Sequence, residues 1–416
     1  MKITVIGGGT AGFYSALISA FLGNKVTLIE KEDKLGGVCV NYGCIPSKAM
    51  YHLLHSITVL QSYRKIVNTS LEELQQFAKE ASNKVSKGME YTLEDNGVEI
   101  IHAKGSYRSG KILANNESIN TDKVIIATGT SSNKPTPGYE DLPFLTSDFN
   151  SAIVIGATFG GIELAWLLKS MKKEVTVVEK MDKILPSPDI DDEIRNAVYN
   201  YLRRLGIKLV LSAQAQKIEK DKVVLVNGET LKADIVFSAF GRYPAIEGFE
   251  ELPHSKGLIV NEYLETPISN IFGAGDIIGT HTATEAVYGG TIASLNAFGL
   301  RKRFNTQAMP YVIYTKPEIA YAGRIEGNCV KTNVASLSRG AADKEFEGFL
   351  KLCEKDGYLV GAQAFMEDAE DVIANISVLI RLKVKLDDIL DIVYPHPSYL
   401  ESILEAVRSL SLKRKT

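Results

Sequence analysis

A short apolar strand, a glycine turn, an amphipathic helix and a second strand ending in an acid occur twice in this chain. That repeat constrains the fold more than any other feature. The first copy runs Ile3-Thr4-Val5-Ile6, Gly7-Gly8-Gly9-Thr10-Ala11-Gly12, a helical run, then Lys25-Val26-Thr27-Leu28-Ile29-Glu30. The second runs Ala152-Ile153-Val154-Ile155, Gly156 to Gly161, a helical run, then Glu174-Val175-Thr176-Val177-Val178-Glu179. Each has the order of a βαβ dinucleotide-binding unit. Glycines between strand and helix let backbone approach a pyrophosphate at the helix N-terminus, where open N–H groups and the dipole favour anions. The same turn also joins strand to helix in folds that hold no ligand. Here Gly7-x-Gly9-x-x-Gly12 is followed by Glu30 at the next strand end, placed to accept bonds from ribose hydroxyls.

A chain of 416 residues is too long for one ordinary core and implies two to four domains. Hydrophobic residues at 45% and charged ones at 23% are those of a folded globular protein. A net charge of −3 gives no electrostatic case for a nucleic-acid partner. No uninterrupted apolar stretch reaches the roughly 20 residues that cross a bilayer, so no membrane span is expected. Met1 to Gly9 run straight into a strand and turn with no leader ahead, which points to the cytoplasm.

Between the two copies, residues 51–95 read as helical. Strands follow at Glu99–Ile101 and Lys123–Ala127, and prolines and polar residues from Pro135 to Asp148 mark a crossover. Alternation from Ile207 to Phe240 stops at Gly241-Arg242-Tyr243-Pro244. Ile271 to Asp276 reads as strand and turn, and Ala283 to Phe298 as a helix. After about Thr306 come strands at Pro310–Ile313, Phe349–Cys353 and Leu359–Ala364 and two helices, a third domain of α+β type.

Four cysteines are too few for a disulfide scaffold, and in a reducing compartment a close pair is catalytic or metal-binding before it is structural. Cys329 and Cys353 stand far apart, and each reads as a small buried apolar side chain. Cys39 and Cys44 differ. They lie in Leu35-Gly36-Gly37-Val38-Cys39-Val40-Asn41-Tyr42-Gly43-Cys44-Ile45-Pro46-Ser47-Lys48, where a bend into a helix start can bring the sulfurs together. A thiol at a helix start also has a lowered pKa, which speeds disulfide exchange. Zinc is the competing reading: His52 and His55 on the following helix would complete only a partial ligand set, so no metal is expected.

That segment resembles the redox-active disulfide motif of the glutathione reductase-like flavoproteins, the pyridine nucleotide–disulfide oxidoreductases, written G-G-T-C-x-N-x-G-C-x-P-S/K-K. The ending Ile45-Pro46-Ser47-Lys48 is most similar to dihydrolipoamide dehydrogenase or mercuric reductase. Further segments resemble family motifs in family order: Ala127-Thr128-Gly129, Gly241-Arg242, Gly273-Ala274-Gly275-Asp276 and Tyr314-Thr315-x-Pro317-Glu318. His396-Pro397-Ser398-Tyr399-Leu400-Glu401 is similar to the H-P-T-x-x-E signature, in which His is the general base and Glu orients it. A histidine suits that task because its pKa lies near neutrality. Mercuric reductases carry a C-terminal cysteine pair, whereas this chain ends Ser411-Leu412-Lys413-Arg414-Lys415-Thr416.

The resemblance implies an α/β fold with two Rossmann-like dinucleotide-binding domains, for FAD and NAD, and a C-terminal α+β dimer-interface domain. The FAD domain would occupy 1–146 and 244–305, the NAD domain 147–243 and the interface domain 306–416. FAD would meet Gly7, Gly9, Gly12, Glu30, Gly37, Lys48, Thr128, Gly129, Gly275, Asp276 (on the ribityl chain) and Ala283, whose helix would point its positive end at the flavin. NAD would meet Gly156, Gly161, Glu179 and Gly241. Cys39 would exchange with substrate, Cys44 would lie against the flavin, and Lys48 would pair with Glu163 nearby. His396, held by Glu401, would serve the disulfide of the opposite subunit of a homodimer. Dihydrolipoamide would be the substrate, free or carried on a partner protein; the alternatives are another disulfide, a metal ion or a quinone, or a flavin-binding subunit without turnover.

Four departures bear on substrate and cofactor. Thr158 stands where the second fingerprint has its middle glycine, while Glu179 still favours NAD over NADP. Val38 replaces the threonine before the first cysteine. His281-Thr282-Ala283-Thr284 does not reproduce the family's Leu-Ala-His, and the chain has an apparent deletion after Gly323.

Overall fold

The computed structural model describes residues 1–415. The chain divides into two compact units, one formed by Met1–Thr146 with Gly241–Thr306, the other by Ser147–Phe240 with Gln307–Thr416.

The first unit is built on a five-stranded parallel sheet in the spatial order Ile271–Gly273, Lys123–Ile126, Lys2–Ile6, Lys25–Glu30, Glu99–His102. Its central strands are apolar on both faces, as a sheet covered on both sides requires. Ile3, Val5, Leu28 and Ile125 pack under the helices Thr10–Phe21 and Ala283–Phe298. Ile6, Ile29, Val124 and Ile126 pack on the other face against Tyr107, Ile112 and Phe249. The two helices touch backbone to backbone. A Cβ on Gly290 would come within 2.3 Å of the Ala11 carbonyl oxygen, and Ser294 donates to the Ser15 carbonyl at 2.8 Å.

The helical stretch expected over 51–95 is two helices, Cys44–Ser62 and Leu71–Asp95. The break comes from local polar competition: Ser70 and Glu73 form a reciprocal capping box, with Glu73 N–H on the Ser70 hydroxyl at 3.1 Å and Ser70 N–H on the Glu73 carboxylate at 2.8 Å. Beyond the strands read from the sequence lies a three-stranded antiparallel sheet, Gly105–Arg108, Lys111–Ala114 and Glu117–Ile119. Its two tight turns have positive φ at both central residues, Ser109-Gly110 and Asn115-Asn116, the geometry that suits strand twist.

The second unit holds a four-stranded parallel sheet, Lys208–Val210, Glu174–Val178, Ser151–Ile155, Ile235–Ser238, with the three-stranded antiparallel sheet Ala215–Ile218, Lys222–Leu225, Thr230–Lys232. The continuous alternation read over 207–240 therefore belongs to two sheets. The unit also holds a five-stranded antiparallel sheet ordered Tyr311–Ile313, Glu318–Gly323, Tyr358–Met366, Phe349–Lys355, Asn328–Asn333. One face of that sheet buries Leu350, Leu352, Ala362 and Ala364 against the helices Ala369–Leu382 and Glu401–Lys415. Its other face carries Lys351 and Gln363 toward Asp189 and Asp191, just before the helix Asp192–Arg204. Among the described residues no helix is long and apolar enough to cross a membrane.

Candidate functional site

The first glycine turn is closed so tightly that three positions exclude a side chain. Gly7 has φ +101°, and a Cβ there would lie 2.4 Å from the Ala127 carbonyl oxygen. A Cβ on Gly12 would fall 1.7 Å from the Gly7 carbonyl oxygen. A Cβ on Gly8 would meet Leu35 at 2.6 Å. Gly9 is different. Its nearest neighbour beyond the chain would be Gly37 Cα at 3.7 Å, so it opens onto space at the start of the Thr10–Phe21 helix, which Gly9 caps without a side-chain bond. That cradle of backbone N–H groups fits a pyrophosphate. Buried Glu30 accepts N–H bonds from Gly8 at 2.5 Å and Glu32 at 2.9 Å, which orients its carboxylate beside the turn.

The cysteine segment is stitched to this turn by backbone. Gly36 N–H donates to the Gly8 carbonyl at 2.8 Å, Gly9 and Gly36 form a parallel bridge, and a Cβ on Gly37 (φ +55°) would touch Gly9 Cα at 2.8 Å. Cys39 sits on the short helix Gly37–Asn41, and Cys44 is the first residue of Cys44–Ser62. Gly43, between them, donates its N–H to the Val38 carbonyl at 2.6 Å, folding the link back on itself. The Cys39 thiol is brought down to about 7, first by a hydrogen bond with the Cys44 side chain and then by the Thr10 hydroxyl, the Lys48 charge and the Cys44 N–H, against the opposing effect of burial. Val38 is 37% exposed, so the methyls replacing the family's threonine hydroxyl are not used in the core.

Asp276 lies in the same unit, in the turn after Ile271–Gly273. Burial pushes its carboxyl up to about 6, and the Thr280 hydroxyl reaches it only at 3.5 Å. A carboxyl lifted this way gains from hydroxyl donors such as those of a polyol chain. Gly275 is at φ +75°, and a Cβ there would crowd Ala11 at 2.7 Å. Thr128 donates its hydroxyl to the Ala245 carbonyl at 2.9 Å, and the Gly129 carbonyl accepts from Ala245 N–H at 2.9 Å. Gly241 (φ +84°) accepts from Asn133 N–H at 3.2 Å. The helix that begins at Ala283 is capped by Thr282, whose hydroxyl accepts from Glu285 N–H at 3.2 Å, while Glu285 accepts from the N–H groups of His281 and Thr282 at 3.1 Å. An acid thus lies at the N-terminus whose positive end the resemblance directs at the flavin.

In the second unit the turn after Ser151–Ile155 repeats the first. Gly156 has φ +104° and a Cβ on Gly161 would fall 1.9 Å from the Gly156 carbonyl oxygen. Buried Glu179 accepts from Ala157 N–H at 2.7 Å and Met181 N–H at 2.9 Å. Thr158 has φ −79° and ψ −174°, matching Gly9 at −72° and −170°. The threonine therefore costs no backbone strain, and what it adds is an exposed side chain where the first turn has room. Glu163 is buried on the helix Phe159–Ser170 and accepts from Tyr314 N–H at 2.8 Å. Lys48 lies on Cys44–Ser62 in the other unit.

Near the C-terminus, His396 Nδ1 lies 2.9 Å from Glu401, whose second oxygen accepts from Ser398 N–H at 2.9 Å. The His396 bond, and then the Ser398 N–H, hold the Glu401 carboxyl below its usual range. Tyr399, 3% exposed, anchors this segment in the core while the His396 side chain stays 67% exposed.

The family model for pyridine nucleotide-disulphide oxidoreductases matches residues 1–290, and the model of that family's dimerisation domain matches 309–407. The chain belongs to this oxidoreductase family. It is 30% identical to a dihydrolipoyl dehydrogenase of Staphylococcus aureus over 97% of this chain and 95% of the relative. It is equally 30% identical to a mercuric reductase of Bacillus cereus, over 97% of this chain and 70% of that one. Among solved structures, LpdA of Mycobacterium tuberculosis superposes with a TM-score of 0.91 at 23% identity, covering 99% of both chains. The HOCl-induced flavoprotein disulfide reductase RclA of Escherichia coli gives 0.85 at 22%, covering 98% and 99%. At such identities these likenesses are of fold. As a member of the family, the oxidoreductase is FAD-dependent and uses a pyridine nucleotide, and its dimerisation domain supports a homodimer.

One correction and one addition concern side chains of this oxidoreductase. Cys329 and Cys353 are not two separate apolar fillers; they are joined in a disulfide between directly opposed residues of Asn328–Asn333 and Phe349–Lys355. Sequence distance hid the pairing, because register across antiparallel strands and not spacing along the chain brings the sulfurs together. Thr10 stands at a variable position of the glycine fingerprint, yet its hydroxyl contacts Cys39. A hydroxyl one residue past the open glycine was the available signal.

Proposed function

We propose that this oxidoreductase oxidises a dihydrolipoamide-type dithiol, with NAD as acceptor, through the Cys39–Cys44 pair. The carrying observation is that an acidified Cys39 thiol lies beside Cys44 in one unit while the chain also holds an oriented His396–Glu401 couple. Relatives named dihydrolipoyl dehydrogenase support the substrate class. Bound FAD would supply the two-electron relay from sulfur to NAD. Gly7, Gly9 and Gly12 would receive its pyrophosphate, Glu30 a ribose, and Gly37, Lys48, Thr128, Gly129, Gly275, Asp276 and Ala283 the remainder. NAD would lie against Gly156, Gly161, Glu179 and Gly241.

His396, reaching the partner subunit's cysteines, would take a proton from the substrate thiol at its Nε2, because Nδ1 is held by Glu401. The substrate thiolate then attacks the Cys39 sulfur, breaking the Cys39–Cys44 bond and leaving the Cys44 thiolate. The second substrate thiol loses its proton to solvent and displaces Cys39 from the mixed disulfide, closing the substrate's own disulfide and leaving Cys39 as a thiolate that the nearby Thr10 hydroxyl and Lys48 charge stabilise. Glu401 keeps the ring oriented and offsets its positive charge. Lys48 and Glu163 are assigned to the flavin side of the relay.

The test is an anaerobic titration of the FAD-loaded enzyme with one equivalent of dihydrolipoamide, followed by steady-state rates with NAD and NADP. A new long-wavelength absorbance that is lost in Cys44→Ser supports the assignment. Turnover only with NADPH and a disulfide other than lipoamide, or with Hg(II), would replace the substrate while leaving the sulfur pair in place.

A further inference from the structure

The antiparallel sheet of the second unit has an unusual row near one end, one step short of the Asn328–Glu354 pair, where Asn328 donates to the Glu354 carboxylate at 2.8 Å. Gly323, Gly361, Cys353 and Cys329 face one another in order across four neighbouring strands. Neither glycine can carry a side chain: a Cβ on Gly323 would lie 2.2 Å from the Val360 carbonyl oxygen, and one on Gly361 2.0 Å from that of Arg324. Cross-strand side-chain pairs are the usual glue of a sheet, and in this row the two sulfurs are the only side chains present. The adjacent row, Val330 opposite Leu352, turns its side chains to the other face of the sheet, into the core; the next pair on the sulfurs' own face sets Lys331 directly opposite Lys351, like charge on like charge. Both lysines are drawn instead to Glu193, with Lys351 also on Asp191. The strand Asn328–Asn333 is an edge strand with one neighbour, and the four-residue connection 324–327 leads straight into it.

The sulfurs differ in access. Cys353 is fully buried, whereas Cys329 is partly exposed. We propose that Cys329–Cys353 is a second thiol–disulfide site, separate from Cys39–Cys44, that clasps this edge strand and is opened by small dithiols attacking at Cys329. In that step the reagent thiolate bonds to Cys329 Sγ, the Cys329–Cys353 bond breaks, and Cys353 leaves as a thiolate that takes up a proton. The reagent's second thiol then attacks its own bound sulfur and releases Cys329 as a thiol. Two electrons and two protons pass from the dithiol, which ends as a cyclic disulfide. Because the leaving sulfur is buried, and a buried thiolate is disfavoured, this opening is slower than reduction of the Cys39–Cys44 pair. The strand released is not a passive one. Val330 packs in the same core as Ile403 and Val407 of the helix headed by Glu401, and the segment that follows it brings Asp343 to the Tyr399 hydroxyl at 3.3 Å.

The experiment uses FAD-loaded full-length protein equilibrated in air. Peptide mapping without reductant should show the Cys329 and Cys353 peptides joined, and a time course with excess dithiothreitol should release them after the Cys39–Cys44 pair has been reduced. Reduction should lower the thermal midpoint by about 5–12 °C, the size expected for releasing a loop of this length. Cys329→Ser should start at the lowered midpoint and lose that response to dithiothreitol. Two alkylatable thiols at 329 and 353 in the air-equilibrated protein would overturn the proposal. So would a joined pair that dithiothreitol does not open in the folded protein, or a midpoint shift of the same size in Cys329→Ser. Should that variant not fold, the wild-type mapping and time course decide alone.

Discussion

Replacing Cys44 by alanine tests how the reactive thiol is made acidic. A thiol at its ordinary value of 9.0 is about 1% thiolate at pH 7, whereas Cys39, brought down to about 7, is about half ionised. The largest cause of that lowering is the hydrogen bond with the Cys44 side chain. Alanine removes it and leaves the Thr10 hydroxyl and the Lys48 charge in place, so the midpoint should rise by about one pH unit and the thiolate fraction at pH 7 should fall about fivefold. The assay is the pH dependence of iodoacetamide modification of Cys39 in pre-reduced, desalted protein, with the site located by peptide mass. Stability follows with a defined sign. A thiol acidified in the folded state contributes stability that is complete above pH 9 and is lost as pH falls through about 7. Each unit is worth about 1.4 kcal/mol, so the reduced wild type gains up to about 3 kcal/mol across that window. Cys44→Ala should flatten that slope. An alkylation midpoint unchanged in the variant would refute the reasoning, because the acidity of Cys39 would then come from elsewhere.

His396→Gln should slow dithiol turnover by about 10²–10⁴-fold, with an unchanged rate removing this residue from proton transfer. Gly12→Ala places a methyl 1.7 Å from the Gly7 carbonyl oxygen, so the purified variant should hold less than about a tenth of the wild-type flavin per protein by visible absorbance; full flavin content would contradict the cradle described. Thr158→Gly clears the exposed side chain from an otherwise matching turn and should lower the Michaelis constant for NAD about three- to tenfold. No change would mean that this loop does not limit nucleotide approach.

The parts of this molecule that were legible from sequence are those dictated by local stereochemistry. Glycines at Gly7, Gly12, Gly156 and Gly161 are required by carbonyl oxygens less than a van der Waals contact away, so their spacing carries the βαβ units openly. The Ala283–Phe298 helix was also plain, bounded by Thr282 at one end and Gly299 at the other. Less legible were features fixed by pairing between distant segments. The Gly105–Ile119 sheet depends on two short turns whose residues, Ser109-Gly110 and Asn115-Asn116, sit among few strand formers. The Cys329–Cys353 bond depends on strand register over 24 residues. Of the candidate site, the cysteine segment announced itself, whereas the contact of Thr10 with Cys39 arises because two turns that are remote in sequence lie side by side.

That adjacency has a consequence for how the centre can change. The loop that would grip the nucleotide's phosphates and the segment bearing the sulfurs are joined backbone to backbone, by hydrogen bonding and bridging through Gly8, Gly9 and Gly36 and by the close approach of Gly37 to Gly9. A shift of a few tenths of an ångström at the anchor is therefore handed on to the sulfurs at once. Grip and reactivity cannot drift apart in such a scaffold, and a substitution that loosens the hold on the nucleotide also misplaces the thiols.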